Sequence, residues 1–317
     1  MSVYFTIKSI LVAFGLVGSF GYFFILFRRL IRLMTSVSGH KNLALDRLSK
    51  RLKIFFKEVL LQSSVREKLF PGIAHTLIFF GFIAVLPHSV ELMIDGIFPG
   101  FSFATLVPGI YFSYVFVADI LALLTLVGLA YCGYRRVILK PKYLTDGLDS
   151  RLILLFTSII ILSFFSINAF RIVLYPETLQ DFIKYYIVSD NLSRFLNLKS
   201  LSRSALIIWL EVSYWIHLVV ILYFLVYIPG SKHLHILAAI PNVVLAPLET
   251  AKAMVRTDLE NETIESFGLG RISEINWQNV LNLYSCTECG RCEEQCPADM
   301  TGKPLSPKAV IMDLKAG

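Results

Sequence analysis

The 317-residue chain is 56% hydrophobic and only 17% charged, against about 25% charged residues in ordinary soluble domains, which excludes a water-soluble globular protein and points to a bilayer. Its formal net charge of +7 is no nucleic-acid footprint, because the basic residues stand in blocks beside apolar spans. Nucleic acid is therefore excluded as a partner, and free thiols clustered in one motif near residue 290 imply a reducing compartment for that end of the chain.

Five segments, 3–27, 70–95, 107–133, 151–175 and 205–229, are apolar and long enough to cross a hydrocarbon core, which takes about 20 residues. The first lacks a basic start and a small-residue cleavage pattern, and Arg28, Arg29 and Arg32 follow it directly, so it reads as a retained helix. Residues 28–69 carry eleven Lys/Arg against three acids, 91–106 carry none, 134–151 carry five against two, and 172–204 carry four against three. By the positive-inside rule this places the N-terminus outside and the cysteine-bearing tail in the cytoplasm of a multi-pass protein of the cytoplasmic (inner) membrane.

In the first inner loop, Leu43, Leu45, Leu48, Leu52, Ile54, Phe55, Phe56, Val59 and Leu60 interleave with Arg47, Lys50, Arg51, Lys53 and Lys57. That pattern predicts a basic amphipathic helix on the inner leaflet. Two carboxylates lie within spans, Asp119 in the third and Glu211 in the fifth. An acid at that depth is costly unless it faces protein or water, which makes both candidates for proton or quinol chemistry, with helix packing as the plainer role.

His75 and His88 lie on the second span, His217 on the fifth, and His233 and His235 just past Pro229. A b-type haem takes two axial imidazoles from opposite sides of its ring, and facing helices supply them. Depth pairs His75 near the inner face with His233 or His235, and His88, 13 residues further along and about 20 Å deeper, with His217. His235 is 18 residues from His217, about five full turns, so a continuous helix would favour it over His233. The 13-residue step on the second span fits an ideal helix less well, and Pro87 offers a kink to re-aim His88. His40 reads as a surface residue and Cys132 as a small apolar one.

In the tail, Asn276 caps a predicted helix whose Trp277, Val280, Leu281 and Tyr284 recur at i, i+3, i+4 and i+7. Ser306-Pro307 begins a second helix carrying Val310, Ile311 and Leu314. Between them run Cys286, Cys289, Cys292 and Cys296-Pro297, spaced C-x2-C-x2-C-x3-C-P. Zinc sites use separated pairs of ligands, and disulfides would compete within so compact a run. The spacing instead wraps three thiolates around one [4Fe–4S] cube and sends the fourth elsewhere. The expected fold is an all-α membrane protein, a five-helix transmembrane bundle followed by a helical ferredoxin module. Its domains are 1–240, a linker over 241–270, and a partial ferredoxin domain over 271–317.

The runs Tyr214-Trp-Ile-His217, Ile228-Pro-Gly-Ser-Lys-His233-Leu-His235 and Asn276 through Cys292 resemble the membrane-bound iron–sulfur oxidoreductases of the heterodisulfide-reductase type. The N-terminal half resembles the cytochrome b (gamma) subunit of respiratory nitrate reductase. The resemblance implies two b haems between the second and fifth spans and electron exchange between a cytoplasmic partner and the quinone pool. One branch of this family accepts electrons from electron-transfer flavoprotein in fatty-acid oxidation, and others serve heterodisulfide- or sulfite-reductase complexes. Members carry two cysteine runs, and in two-cluster ferredoxins the fourth cysteine of each run ligates the other cluster. One run precedes Gly317 here, so the sequence is expected either to belong to a longer chain or to be completed by a separate iron–sulfur subunit. The expected function is quinone-linked electron transfer, with a non-catalytic membrane anchor and electron conduit as the alternative.

Overall fold

The computed structural model describes residues 2–37, 47–144, 147–177, 182–248 and 275–316, and every regular element among them is helical. The longer helices are α1 (Ser2–Ser36), α2 (Leu48–Phe55), α3 (Leu69–Ile97), α4 (Pro108–Tyr134), α5 (Leu148–Leu174), α6 (Ile187–Phe195), α7 (Arg203–Tyr227), α8 (His235–Val244), α9 (Trp277–Ser285) and α10 (Pro307–Ala316). Five of them, α1, α3, α4, α5 and α7, are long and apolar enough to cross a membrane. They match the five expected spans, the first running nine residues further than residue 27, to Ser36. The described chain forms two compact units. One comprises Met1–Phe23, Arg66–Leu139 and Leu148–Tyr227, and the other Phe24–Val65, Lys140–Gly147 and Ile228–Gly317.

In the first unit, α3 pairs extensively with α4, and α5 with α7. The α3–α4 approach depends on small residues: a Cβ on Gly128 would sit 2.8 Å from the Ala74 carbonyl oxygen. Close backbone contact of this kind replaces the hydrophobic drive that is missing between helices in lipid. Val12 of α1 is fully buried against Leu92, Ile167, Tyr214, Leu218 and Leu222, although most of the rest of α1 is exposed, as a lipid-facing helix is. Tyr227 donates to Asp149 Oδ1 at 2.6 Å, tying the end of α7 to the start of α5. Pro87 does not interrupt α3, which runs helically from Leu69 to Ile97.

In the second unit, α8 packs against both α2 and α9, and Trp277, Val280 and Leu281 form the buried face of α9. Asn276 Oδ1 accepts from Asn279 N at 2.8 Å, and Ser306 Oγ accepts from Ala309 N at 3.0 Å, the two caps expected from sequence. The basic helix is shorter than its pattern suggests. It covers Leu48–Phe55 with a π-helical turn over Phe56–Leu60, while Leu43, Leu45 and His40 lie outside the described residues. One of its cations is buried: Arg51 Nη1 donates to the carbonyls of Val244 at 2.6 Å and Ala246 at 3.1 Å. A cation there satisfies acceptors that the end of α8 leaves open. Residues 249–274, which include most of the expected 241–270 linker, lie outside the described residues.

Candidate redox sites

Cys286 follows α9 directly, in extended backbone. The loop then takes two left-handed residues, Glu288 (φ 57) and Gly290 (φ 77), before a helical turn over Arg291–Glu294 and a second over Pro297–Met300. Gly290 is the residue this requires. Its φ is one that side chains avoid, and a Cβ there would run into the Tyr143 carbonyl.

Three polar clamps within the second unit hold the loop in place. Lys232 Nζ sits 2.8 Å from Glu288 Oε2. The Arg291 guanidinium donates to Ser64 O at 2.6 Å and Val65 O at 3.0 Å. Lys308 Nζ reaches Glu293 Oε2 at 2.7 Å and Tyr143 O at 2.9 Å. Lys308, followed by the Ser306 hydroxyl, holds the Glu293 carboxyl below the usual carboxylate range.

Cys289 and Cys292 are exposed, and Cys286 and Cys296 half-buried. Burial pushes the Cys292 thiol up, and its neighbours Cys289 and Cys286 push it in the same direction. Cys286, Cys289 and Cys292 are thus within electrostatic range of one another. Among the described residues no three such side chains converge on one point as ligands of a single ion do. A cube makes a different demand, since each thiolate binds its own iron. A hydrophilic loop with three neighbouring thiols and a fourth beyond a helical turn fits that donor set.

In the first unit, His88 and His217 face each other from α3 and α7, with ring centroids 6.5 Å apart and planes at 79°. Both are almost fully buried, at 2% and 1% exposure. His217 is held by Ser163 Oγ at Nδ1 (2.8 Å) and by Ser89 Oγ at Nε2 (3.0 Å). His88 Nε2, by contrast, is buried with no hydrogen-bond partner, and the edge of Phe164 packs on its ring. An orphaned buried nitrogen is costly unless a ligand or an ion takes it up. The ring separation suits two imidazoles on opposite sides of one metal, with bonds of about 2 Å. His88 Nε2 is open to a metal, whereas a bis-imidazole haem would require Ser89 to release His217 Nε2, leaving Ser163 to orient that ring at Nδ1. The uninterrupted α3 means that His88 reaches this position without a helix break at Pro87.

His75 is half-buried near the start of α3, in the first unit. His233 and His235 belong to the second unit, with rings 5.4 Å apart and perpendicular, and His235 Nδ1 lies 2.9 Å from Lys232 O. The helical phase that favoured His235 needs a continuous helix from His217, and the structure does not provide one. α7 ends at Tyr227, and short 3-10 turns over Ile228–Gly230 and Lys232–Leu234 separate it from α8. Pro229, in the first of these turns, cannot donate a helical hydrogen bond.

Neither of the two span acids is alone. Asp119, fully buried, accepts from Val188 N (2.5 Å), Ser189 N (3.3 Å) and Ser189 Oγ (2.6 Å), and so caps α6 from a neighbouring helix. Glu211 accepts from Tyr4 OH at 2.7 Å and from Lys8 Nζ at 2.9 Å, and the same ammonium lies 3.8 Å above the Tyr214 ring. Sequence reasoning overlooked a third acid. Glu91, 2% exposed, accepts from Ser102 Oγ (2.6 Å), Tyr111 OH (3.1 Å) and Phe103 N (3.2 Å). It lies where the expected span 70–95 and the outer connection 91–106 overlap, and α3 continues past it to Ile97. Cys132 is half-buried in α4, away from the other cysteines in sequence.

The chain is 31% identical over 277 residues to the "Probable iron-sulfur-binding oxidoreductase FadF" of Bacillus subtilis (strain 168), an alignment covering 87% of this chain and 38% of the relative. It is likewise 31% identical over 285 residues to the "EtfAB:quinone oxidoreductase" of Syntrophomonas wolfei, again 87% of this chain and 38% of the other. A 50-residue stretch is 38% identical to a "Probable membrane-anchored ferredoxin" of Chromohalobacter salexigens, covering 16% of this chain and 8% of that one. The chain thus spans well under half the length of the curated relatives it matches. No family model and no solved structure matches it.

Proposed function

We propose that this chain is the membrane electron-transfer part of a quinone-linked iron–sulfur oxidoreductase whose soluble donor is an electron-transfer flavoprotein. The observation that carries the reading is the Lys232–Glu288 bridge. Within one unit it joins the cysteine loop to the segment bearing His233 and His235. Two relatives, named as an iron–sulfur-binding oxidoreductase and as an EtfAB:quinone oxidoreductase, support the same reading.

In this reading Cys286, Cys289 and Cys292 hold one [4Fe–4S] cluster, and Cys296 ligates a second cluster supplied by further chain or by a separate iron–sulfur subunit. His88 and His217, both in the first unit, are axial ligands of one of the two b haems that the resemblance implies. When bound, these groups supply one-electron carriers, and the protein's own part is to place and tune them. Ser163 fixes the His217 ring, and Lys232 O fixes that of His235. Lys232 and Lys308 are paired with Glu288 and Glu293 of the loop, and with Arg291 they fix its backbone rather than charge it. Glu211 with Lys8 and Tyr4 is our choice for exchanging protons with the quinone, because an acid and two donors meet there. Asp119, with both oxygens engaged by α6, is assigned to anchoring that helix.

The test is anaerobic turnover: the purified chain in lipid nanodiscs is mixed with reduced electron-transfer flavoprotein and a soluble quinone analogue. Flavoprotein-dependent quinone reduction supports the reading. Haem reduction without quinone turnover would favour the anchor-and-conduit role, and no electron acceptance at all would contradict both.

A further inference from the structure

The first unit carries a cavity of about 450 Å³ where α5 ends and α7 begins. A volume in the range of about 300–1,000 Å³ holds whole small molecules, far more than an inorganic ion needs. Leu174 and Leu206, both buried, form part of its apolar wall, while Asp190, Arg194, Lys199 and Arg203 line it with charge. Arg194 is engaged by Asp190 at 2.6 Å. Lys199 and Arg203 are exposed at its rim and make no ion pair among the described residues.

Placement narrows the ligand. The cavity lies at the ends of two membrane-length helices, where a bilayer's headgroups meet its hydrocarbon. Arg203 also opens the 25-residue α7, whose dipole favours an anion although Ser202 Oγ already accepts from Ala205 N at 3.2 Å. The sequence carries a related sign. The connection 172–204, with four basic residues to three acidic, is the one that blurs the charge alternation of the loops.

We propose that this cavity binds the phosphodiester of an anionic phospholipid, with Lys199 and Arg203 on the phosphate oxygens and the lipid's apolar part along Leu174 and Leu206. Charge-assisted contacts of this kind are short and strong, and basic pockets between membrane helices take anionic headgroups. The phosphate group is the recognised chemistry. The apolar wall and the interfacial depth select a lipid over free phosphate.

Native mass spectrometry of the full chain tests this, using phosphatidylglycerol, phosphatidylcholine with the same acyl chains, and inorganic phosphate. Phosphatidylglycerol is expected to bind about tenfold more tightly than phosphatidylcholine, which has the same phosphodiester but brings a choline cation against Lys199 and Arg203. The Lys199→Gln/Arg203→Gln double variant should lose that preference, and the charge-preserving Lys199→Arg/Arg203→Lys variant should keep it. Equal affinity for the two lipids, or an undiminished preference in the glutamine variant, overturns the proposal. Displacement of the lipid by an equal concentration of inorganic phosphate overturns the lipid assignment and marks a free-anion site.

Discussion

Lys232 Nζ lies 2.8 Å from Glu288 Oε2, with only 10% and 16% of the two side chains exposed. Glu288 stands between Cys286 and Cys289, and Lys232 immediately precedes His233. Two short segments, 56 residues apart in sequence, are thereby fixed to one another. Replacing Lys232 with Met strands a largely buried carboxylate, at a cost of about 1.5–3 kcal/mol for a lost hydrogen bond to a charged group. The Lys232→Met/Glu288→Gln double variant should be less destabilised than the two single variants summed. Denaturant unfolding of the four proteins checks this, and additive effects would show the pair to be uncoupled.

Gly290 and Gly302 separate two costs. Both are left-handed, at φ +77 and +74, but only at Gly290 would a Cβ meet neighbouring backbone. Gly302→Ala should cost about 1–2 kcal/mol, the penalty of a Cβ in that conformation, and leave iron content unchanged. Gly290→Ala should cost more, because the Tyr143 carbonyl must move, and should lower the iron bound per chain. Iron and acid-labile sulfide assays give the readout.

The helices were legible in the sequence because each span is apolar over its whole length and because the caps Asn276 and Ser306 sit at the predicted starts. The cysteine loop was legible because its chemistry lies in local spacing. What sequence missed is long-range. Lys8 and Glu211 are 203 residues apart, and each looked like a solitary charge until α1 met α7. Glu91 falls inside the expected span 70–95 and also inside the stretch counted as the outer connection, and only the partners Ser102 and Tyr111 mark it as a buried acid. The His235 phase argument failed at Pro229, since periodicity extrapolates only along an unbroken helix.

Asp119 offers a test of anchoring against proton transfer. Asp119→Ala removes the cap of α6 and should destabilise the protein by about 2 kcal/mol, at the upper end of capping effects. Asp119→Asn retains an oxygen acceptor and should recover a good part of that. If either variant abolished quinone turnover while leaving thermal unfolding unchanged, the anchoring role would be wrong.

Glu58 should confer a pH dependence on the turn that presents the Arg291 acceptors. Hydrogen bonds from Ser64, reinforced by Ser63 and Lys57, hold its carboxyl below the ordinary glutamate value of 4.5. Because the folded value is depressed, the stabilisation is fully present above pH 4.5 and is lost as pH falls through the lower folded value. The protection factor for hydrogen exchange over residues 61–65, which corrects for the intrinsic pH dependence of exchange, should therefore fall below pH 4.5. In Glu58→Gln it should be lower at neutral pH and flat across the same window.

The central claim is that one chain carries thiolate and imidazole redox sites together. The most direct measurement is the reduced-minus-oxidised optical spectrum of the purified protein, taken alongside His217→Ala and His88→Ala. The account predicts b-haem bands in the parent protein that fall by about half in each variant, as expected when one of two bis-imidazole sites is lost. A spectrum without b-haem bands, or bands of undiminished size in both variants, would contradict it.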